Sequence, residues 1–308
     1  MPADNPCRSM LSEQAIEACV RWACEQEVLA PKPGNVNPFS AGHQMAVTDF
    51  LKSADAIAPV MAKPDLSIGE RIYLSIQATR KVVDCNTNLG IIMLFAPLCN
   101  AVQQCQNFDE LTTALKNELR KLTVEDARFC YQAIRIAEAG GLGKSEQQDL
   151  SQEPTVTLRE AMLIAVNRDT IARQYIHNFA EVFHIGLQQL TDAIKSGEGV
   201  EWATAFAYLN FLACVPDTLI IRKQSREHAQ AVTDKARDII SAMNKKYSLK
   251  NMTSDLIAWD NDLKKRAINP GTTADLTAAT LLLFAFQQAF ASNRISVPRC
   301  IERTALSR

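Results

Sequence analysis

The sequence predicts an all-α protein, one compact domain built as a bundle of about ten or more helices. Three observations lead there. Apolar residues recur at three- and four-residue spacing along nearly the whole chain. Capping residues stand in front of most of these stretches. Alternating Val/Ile/Thr-rich runs joined by Asn-Gly or Asp-Gly turns are absent, so no hairpin is read. Glycine agrees: 11 residues in 308, about half the usual ~7%. A nucleotide-binding parallel sheet needs glycine at its tight turns, and this chain has too little.

The elements follow in order. Residues 12–29 start at Ser12 and place Ile16, Cys19, Val20 and Ala23 on one face, and Pro31 and Pro33 stop them. Thr48 is read as the cap of a second helix carrying Phe50, Leu51, Ala54, Ile57 and Met61, closed by Pro64. Ser67 with Glu70 forms a capping box before Ile72, Ile76 and Val83. Residues 88–105 are apolar on most sides and predict a central helix. Asp109 opens a short amphipathic helix. Thr123 with Asp126 opens another, expected to end at Gly140-Gly141. Thr157 with Glu160 makes a further box, and one long helix is expected over 169–195. Helices near 200–213, 225–245, 252–266 and 274–291 complete the set. The last serves either as core or as a homodimer face. Residues 140–156, polar with Gly and Pro, read as a long functional loop within the domain rather than a boundary.

Charge and cysteine usage narrow the function. Lys and Arg total 33 against 34 Asp and Glu, a formal net charge of −1. That leaves no electrostatic footprint for nucleic acid or for an anionic membrane surface. No run of ~18 apolar residues suggests a span. The nine cysteines form no C-x-x-C pair, and the chain starts without an apolar leader, so a reduced, cytoplasmic protein is expected. The string GGLGKS at 140–145 ends like a phosphate-binding loop. Its required first glycine is Glu138, and a helix rather than a strand precedes it.

Four polar clusters stand where apolar helices should not want them. The first runs from Lys32, Gly34 and Asn35 to His43 and Asp49, in and after a rigid loop. The second is Asp84, Asn86, Thr87 and Asn88, at the entry to the most apolar helix; it reads as a cap or as an anion site. The third is Asp217 with Arg222 and Lys223. The fourth is Asn269, Thr272, Thr273 and Asp275, with the carboxylate inside an apolar helix start.

In this order, with the glycines at 140–143, the clusters resemble the triphosphoribosyl-dephospho-CoA synthase family. The likeness rests on K-P-G-N-V at 32–36, G-H at 42–43, D-F-L-x-S-A at 49–54 and N-T-N-L-G at 86–90. G-G-L-G at 140–143, D-T-x-x-x-R at 217–222 and P-G-T-T-A-D-L at 270–276 complete it. The resemblance implies an all-helical transferase: the ribose 2′-hydroxyl of 3′-dephospho-CoA attacks C1′ of ATP, and adenine leaves. It implies Mg²⁺ as cofactor, with Asp84 and Asp275 as the metal- or oxocarbenium-facing carboxylates. Asn86 and Asn88 are then expected on ligand oxygens, and Lys32, Arg222 and Lys144 on phosphates. His43 or Asp49 would serve as general base or leaving-group partner. Gly34, Asn35, Thr87, Gly141, Asp217, Thr272 and Thr273 complete the expected substrate-binding set. Family members carry N-T-H-K-G where this chain has Asn88 and Leu89. That departure keeps open a second acceptor, a precursor of a one-carbon-carrier cofactor such as methanopterin or methanofuran. A non-catalytic helical ligand-binding protein is the third reading.

Overall fold

The computed structural model describes residues 10–40, 45–138, 140, 147–243 and 249–292. Among them are fourteen α-helices and no strand, apart from an isolated bridge between Asn37 and Ser40. Four of the caps read from the sequence form as expected. Ser12 receives the Ala15 N–H ahead of α1 (Glu13–Leu29). The boxes at Ser67, Thr123 and Thr157 open α3 (Ile68–Arg80), α6 (Val124–Ala137) and α7 (Leu158–Ala165). Between them lie α2 (Val47–Ala62), α4 (Leu89–Val102) and α5 (Leu111–Lys121).

Three boundaries differ. Helix α2 begins at Val47, so Thr48 lies in its first turn; the Asp49 carboxylate closes that turn by accepting the Ala46 N–H at 2.9 Å. Helix α6 stops at Ala137, where Glu138 takes a left-handed conformation (φ 51°) before the glycines. The long helix expected over 169–195 is broken. It divides into α8 (Thr170–Ile176), a turn with positive φ at Asn178 and Phe179, a π-helical segment Val182–Leu187, and α9 (Gln188–Lys195). Close packing accompanies the π segment. A Cβ on Gly186 would stand 2.0 Å from Thr280 Oγ1 and 2.6 Å from the Phe211 ring, so helix surfaces meet there at backbone distance.

The remaining helices are α10 (Val200–Cys214), α11 (Thr218–Lys223), α12 (Arg226–Met243), α13 (Thr253–Lys265) and α14 (Gly271–Ala291). Helix α14 is the axis of the molecule, packed on α1, α4, α10 and the π segment. Its length and mean hydropathy of 1.2 match a membrane span, yet 67% of its apolar window is buried among neighbouring helices. Of the two uses expected for it, core is the one observed. The larger core joins α1, α4 and α14, with Trp22 stacked on Phe284 at 6.1 Å. A smaller one joins α10, α12 and α13 around Tyr208, Leu212, Trp259 and Leu263.

Candidate active site

A cavity of about 830 Å³ opens where several helix ends converge. The first turns of α4 and α14 line one side, the end of α1 lines its floor, and α7, α8 and α11 enclose the rest. Helices α4 and α14 meet at backbone distance. A Cβ on Gly90 would lie 2.0 Å from Asp275 Oδ2, so this glycine makes room for the carboxyl group. The partial positive charge at the start of two long helices therefore borders the cavity, which favours an anionic ligand.

Asp275 accepts no hydrogen bond among the described residues. Burial pushes its carboxyl well above the ordinary range, and the negative charges of Glu27, Asp217 and Asp169 add to this, with Arg222 opposing. Glu27, in the last turn of α1, is 1% exposed on the cavity floor. Burial raises its pKa too, offset by the Lys32 ammonium 3.1 Å from Oε1. Lys32 itself is fully buried, and burial lowers its pKa while Glu27 resists the change. Its Nζ also donates to the Glu27 and Val36 carbonyls.

Cations and amides occupy other walls. Arg168, Arg222 and Lys223 line the cavity. Arg222 approaches Asp169 at 3.5 Å, and its buried Nε has no hydrogen-bond partner among the described residues. Asn35 donates to Asn269 at 2.9 Å. Asn86 Oδ1 accepts the Leu89 N–H, capping α4, and Thr87 shares a 2.7 Å hydrogen bond with Ser53. The Asn88 carboxamide turns to the Thr79 hydroxyl, with contacts of 3.0 and 3.2 Å. Leu158, Met162, Ile134 and Ile171 give the cavity an apolar wall.

The structure thus gathers Asn35, Asn86, Thr87, Asn88, Arg222, Thr272 and Asp275 around one cavity. It places the other expected residues elsewhere, for physical reasons. Lys32 is sealed against Glu27 and is not on the lining, so it does not present its charge to a phosphate. Gly34 forms a left-handed turn (φ 83°) whose N–H donates to Asp260, and it too is off the lining. Asp49 caps α2. Asp84 is exposed outside the lining, so it does not converge with Asp275 on a metal. Asp217 is consumed structurally: one oxygen caps α11 through the Leu219 and Ile220 N–H groups, and the other accepts the Thr273 N–H and hydroxyl at 2.7 and 2.8 Å. Thr273 is therefore a strut as well. His43, Gly141 and Lys144 lie outside the described residues.

Sequence reasoning passed over Glu27, Arg168 and Asp169. The signal for Glu27 was present: it extends the buried 16–20–23 stripe of α1 by four residues, where a carboxylate is out of place. Asp169 carried a helix-cap signal and indeed caps α8 through Ala172, but its second oxygen faces Arg222.

These features define a helical protein whose cavity, lined by carboxyl groups, Arg and Lys, suits an anionic ligand, with no strand among the described residues to carry a phosphate-binding loop. The chain belongs to the CitG family of ATP:dephospho-CoA triphosphoribosyl transferases, whose model matches residues 13–294. It is 24% identical to the 2-(5''-triphosphoribosyl)-3'-dephosphocoenzyme-A synthase of Haemophilus ducreyi, over 88% of this chain and 87% of that protein. It is 26% identical to the synthase of the same name from Pectobacterium atrosepticum, over 87% and 88%. A crystal structure assigned as a triphosphoribosyl-dephospho-CoA synthase from Archaeoglobus fulgidus superposes with a TM-score of 0.60 at 25% identity, covering 77% of this chain and 98% of that one. The chain is a transferase of this family.

Proposed function

We propose that the cavity transfers the 5-triphosphoribosyl group of ATP to the ribose 2′-hydroxyl of 3′-dephospho-CoA and releases adenine. The observation that carries this reading is the meeting of Asp275 with two helix N-termini and three cationic side chains in one cavity. The triphosphate needs cations and N–H groups, which Arg168, Arg222, Lys223 and the first turns of α4 and α14 supply. The departing base needs a proton, and a carboxyl whose pKa is raised by burial and neighbouring acids is suited to carry one. Asp275 is accordingly assigned as the acid that protonates adenine, facing the anomeric carbon.

Magnesium fits this reading as a companion of the substrate. Asp84 and Asp275 do not form the resident pair expected for it, and the described residues hold no group of three or more His, Cys, Asp or Glu suited to a metal ion. Mg²⁺ tolerates one or no protein carboxylate when phosphates and water complete its shell, so Mg²⁺-ATP enters as a unit.

Incubating the protein with Mg²⁺-ATP and dephospho-CoA and separating the products tests the assignment. Free adenine should accumulate one-for-one with the coupled product. Asp275→Asn should slow it by about 10²-fold or more, the usual contribution of a positioned acid. Full turnover in that variant removes Asp275 from the chemistry. Leu89 lines the cavity and is apolar, and with the departure from the family motif in the sequence it favours a second acceptor. Mg²⁺-ATP binding without release of adenine when dephospho-CoA is the acceptor offered would point there.

A further inference from the structure

We propose that Glu27, held by Lys32 on the cavity floor, is the group that takes the proton from the attacking hydroxyl, so that Glu27 and Asp275 work as a base and an acid in one reaction. The inference rests on the transferase reading above and adds a residue and a role to it.

Four observations carry it. Glu27 and Asp275 line the same cavity from two helices packed against each other, α1 and α14. Glu27 is almost completely buried, and its charge bears on Asp275 more than that of any other acid. The two carboxyl groups differ in their neighbours: Glu27 has an ammonium at 3.1 Å, whereas Asp275 accepts no hydrogen bond among the described residues. Such an asymmetry makes Glu27 the more readily ionised of the two and Asp275 the better proton holder. Asp49, one of the two bases expected from the sequence, is spent on the α2 cap. A buried Lys–Glu pair is weak evidence for stability alone, since apolar residues of similar volume often serve as well. Its placement at the floor of a ligand-sized cavity gives it a chemical use.

The step balances without a further reagent. The acceptor 2′-oxygen forms a bond to C1′ of ATP as the C1′–N9 bond breaks. The hydroxyl proton passes to the Glu27 carboxylate. The electron pair of the broken bond stays on adenine, which takes its proton from Asp275. Glu27 is then neutral and Asp275 ionised, and proton exchange with solvent once the products leave restores the starting state. Lys32 touches no substrate in this scheme. It is a positioning residue that keeps Glu27 ionised.

The groups facing Glu27 are Lys32 from the following loop, Asp275 of α14, Tyr208 of α10 and Cys24 of its own helix; Asp260 and Lys264 of α13 act on Lys32. The test compares wild type, Glu27→Gln, Glu27→Asp and the double variant Glu27→Gln/Lys32→Met, which leaves no lone buried charge. Adenine release is measured in a single turnover, Mg²⁺-ATP affinity by calorimetry, and folding by thermal melts. Expected are a 10²- to 10⁴-fold loss of rate in both Gln-containing proteins, ATP affinity within about threefold of wild type, and partial recovery with Asp. Lys32→Met alone should move the acidic limb of the rate–pH profile upward, because Glu27 then protonates more easily; an unmoved limb overturns the positioning role. Rates within threefold of wild type in a folded Gln variant overturn the proposal while leaving the transferase reading intact. No adenine from the wild type overturns both.

Discussion

At position 275 a half-buried carboxyl group stands near other acids and accepts no hydrogen bond among the described residues, an arrangement that works against folding. The sign of its pH effect follows from the direction of its shift. In the unfolded chain Asp275 ionises in the ordinary carboxylate range, near pH 4. In the folded protein it holds its proton to a much higher pH. Between those limits the folded state binds the extra proton, so this residue makes stability fall as pH rises. Asp275→Asn removes the titration. The variant without ligand should melt a few degrees above wild type at pH 7, since 1 kcal/mol corresponds to roughly 2–4 °C in a protein of this size. The two proteins should converge near pH 4. Matching melts by calorimetry at both pH values would mean that Asp275 has a compensating partner. Gain of stability with loss of turnover is the pattern of a residue kept for chemistry. None of this was legible at position 275 itself. The sequence shows an acid in a helix start, which a favourable helix dipole explains equally well. The contacts that make it unusual come from α1, α8 and α11, more than fifty residues away along the chain.

Elements were legible wherever the signal was local. The three capping boxes formed because Ser67–Glu70, Thr123–Asp126 and Thr157–Glu160 satisfy their own backbone groups without outside help. The division of 170–195 was not legible, because apolar periodicity records which residues face inward and says nothing of φ. Phe179 remains fully buried with φ at 60°, so the stripe continues across the break. Asp217 gave a third outcome. Its cap was readable, but its tie to Thr273 was hidden, and that tie converts an expected ligand contact into a clamp between α11 and α14. Asp217→Ala should therefore act on the elements first. Loss of the cap and exposure of buried donors together cost about 2–4 kcal/mol, read as a lower urea midpoint at unchanged slope. Arg222 rides on α11, so weaker ATP binding should accompany the loss. A variant with wild-type stability and impaired binding would instead return Asp217 to the ligand.

At the scale of the whole molecule, helix packing holds the cavity walls together. The larger core fixes α1, α4 and α14, and the smaller one fixes α10, α12 and α13. Helix α11 meets α12 on one side and α14 on the other, which sets Arg222 and Lys223 opposite the α4 and α14 helix starts. A ligand with negative charge spread along its length would bridge those walls. Binding to the folded state alone then stabilises it by about 2.7 kcal/mol at a hundredfold excess over Kd. Mg²⁺-ATP should accordingly raise the melting temperature by several degrees, whereas adenosine, which lacks the phosphates, should raise it little. Arg222→Gln should shrink the Mg²⁺-ATP shift by at least half and leave the unliganded melt within a degree or two, because its contact to Asp169 at 3.5 Å is partly exposed and contributes little to stability. Equal shifts with ATP and adenosine, or an undiminished shift in Arg222→Gln, would place the triphosphate away from α11. The same comparison in Glu27→Gln separates the floor from the walls: the ATP shift should persist there, since the proposed scheme sets Glu27 at the acceptor hydroxyl and the cations at the phosphates.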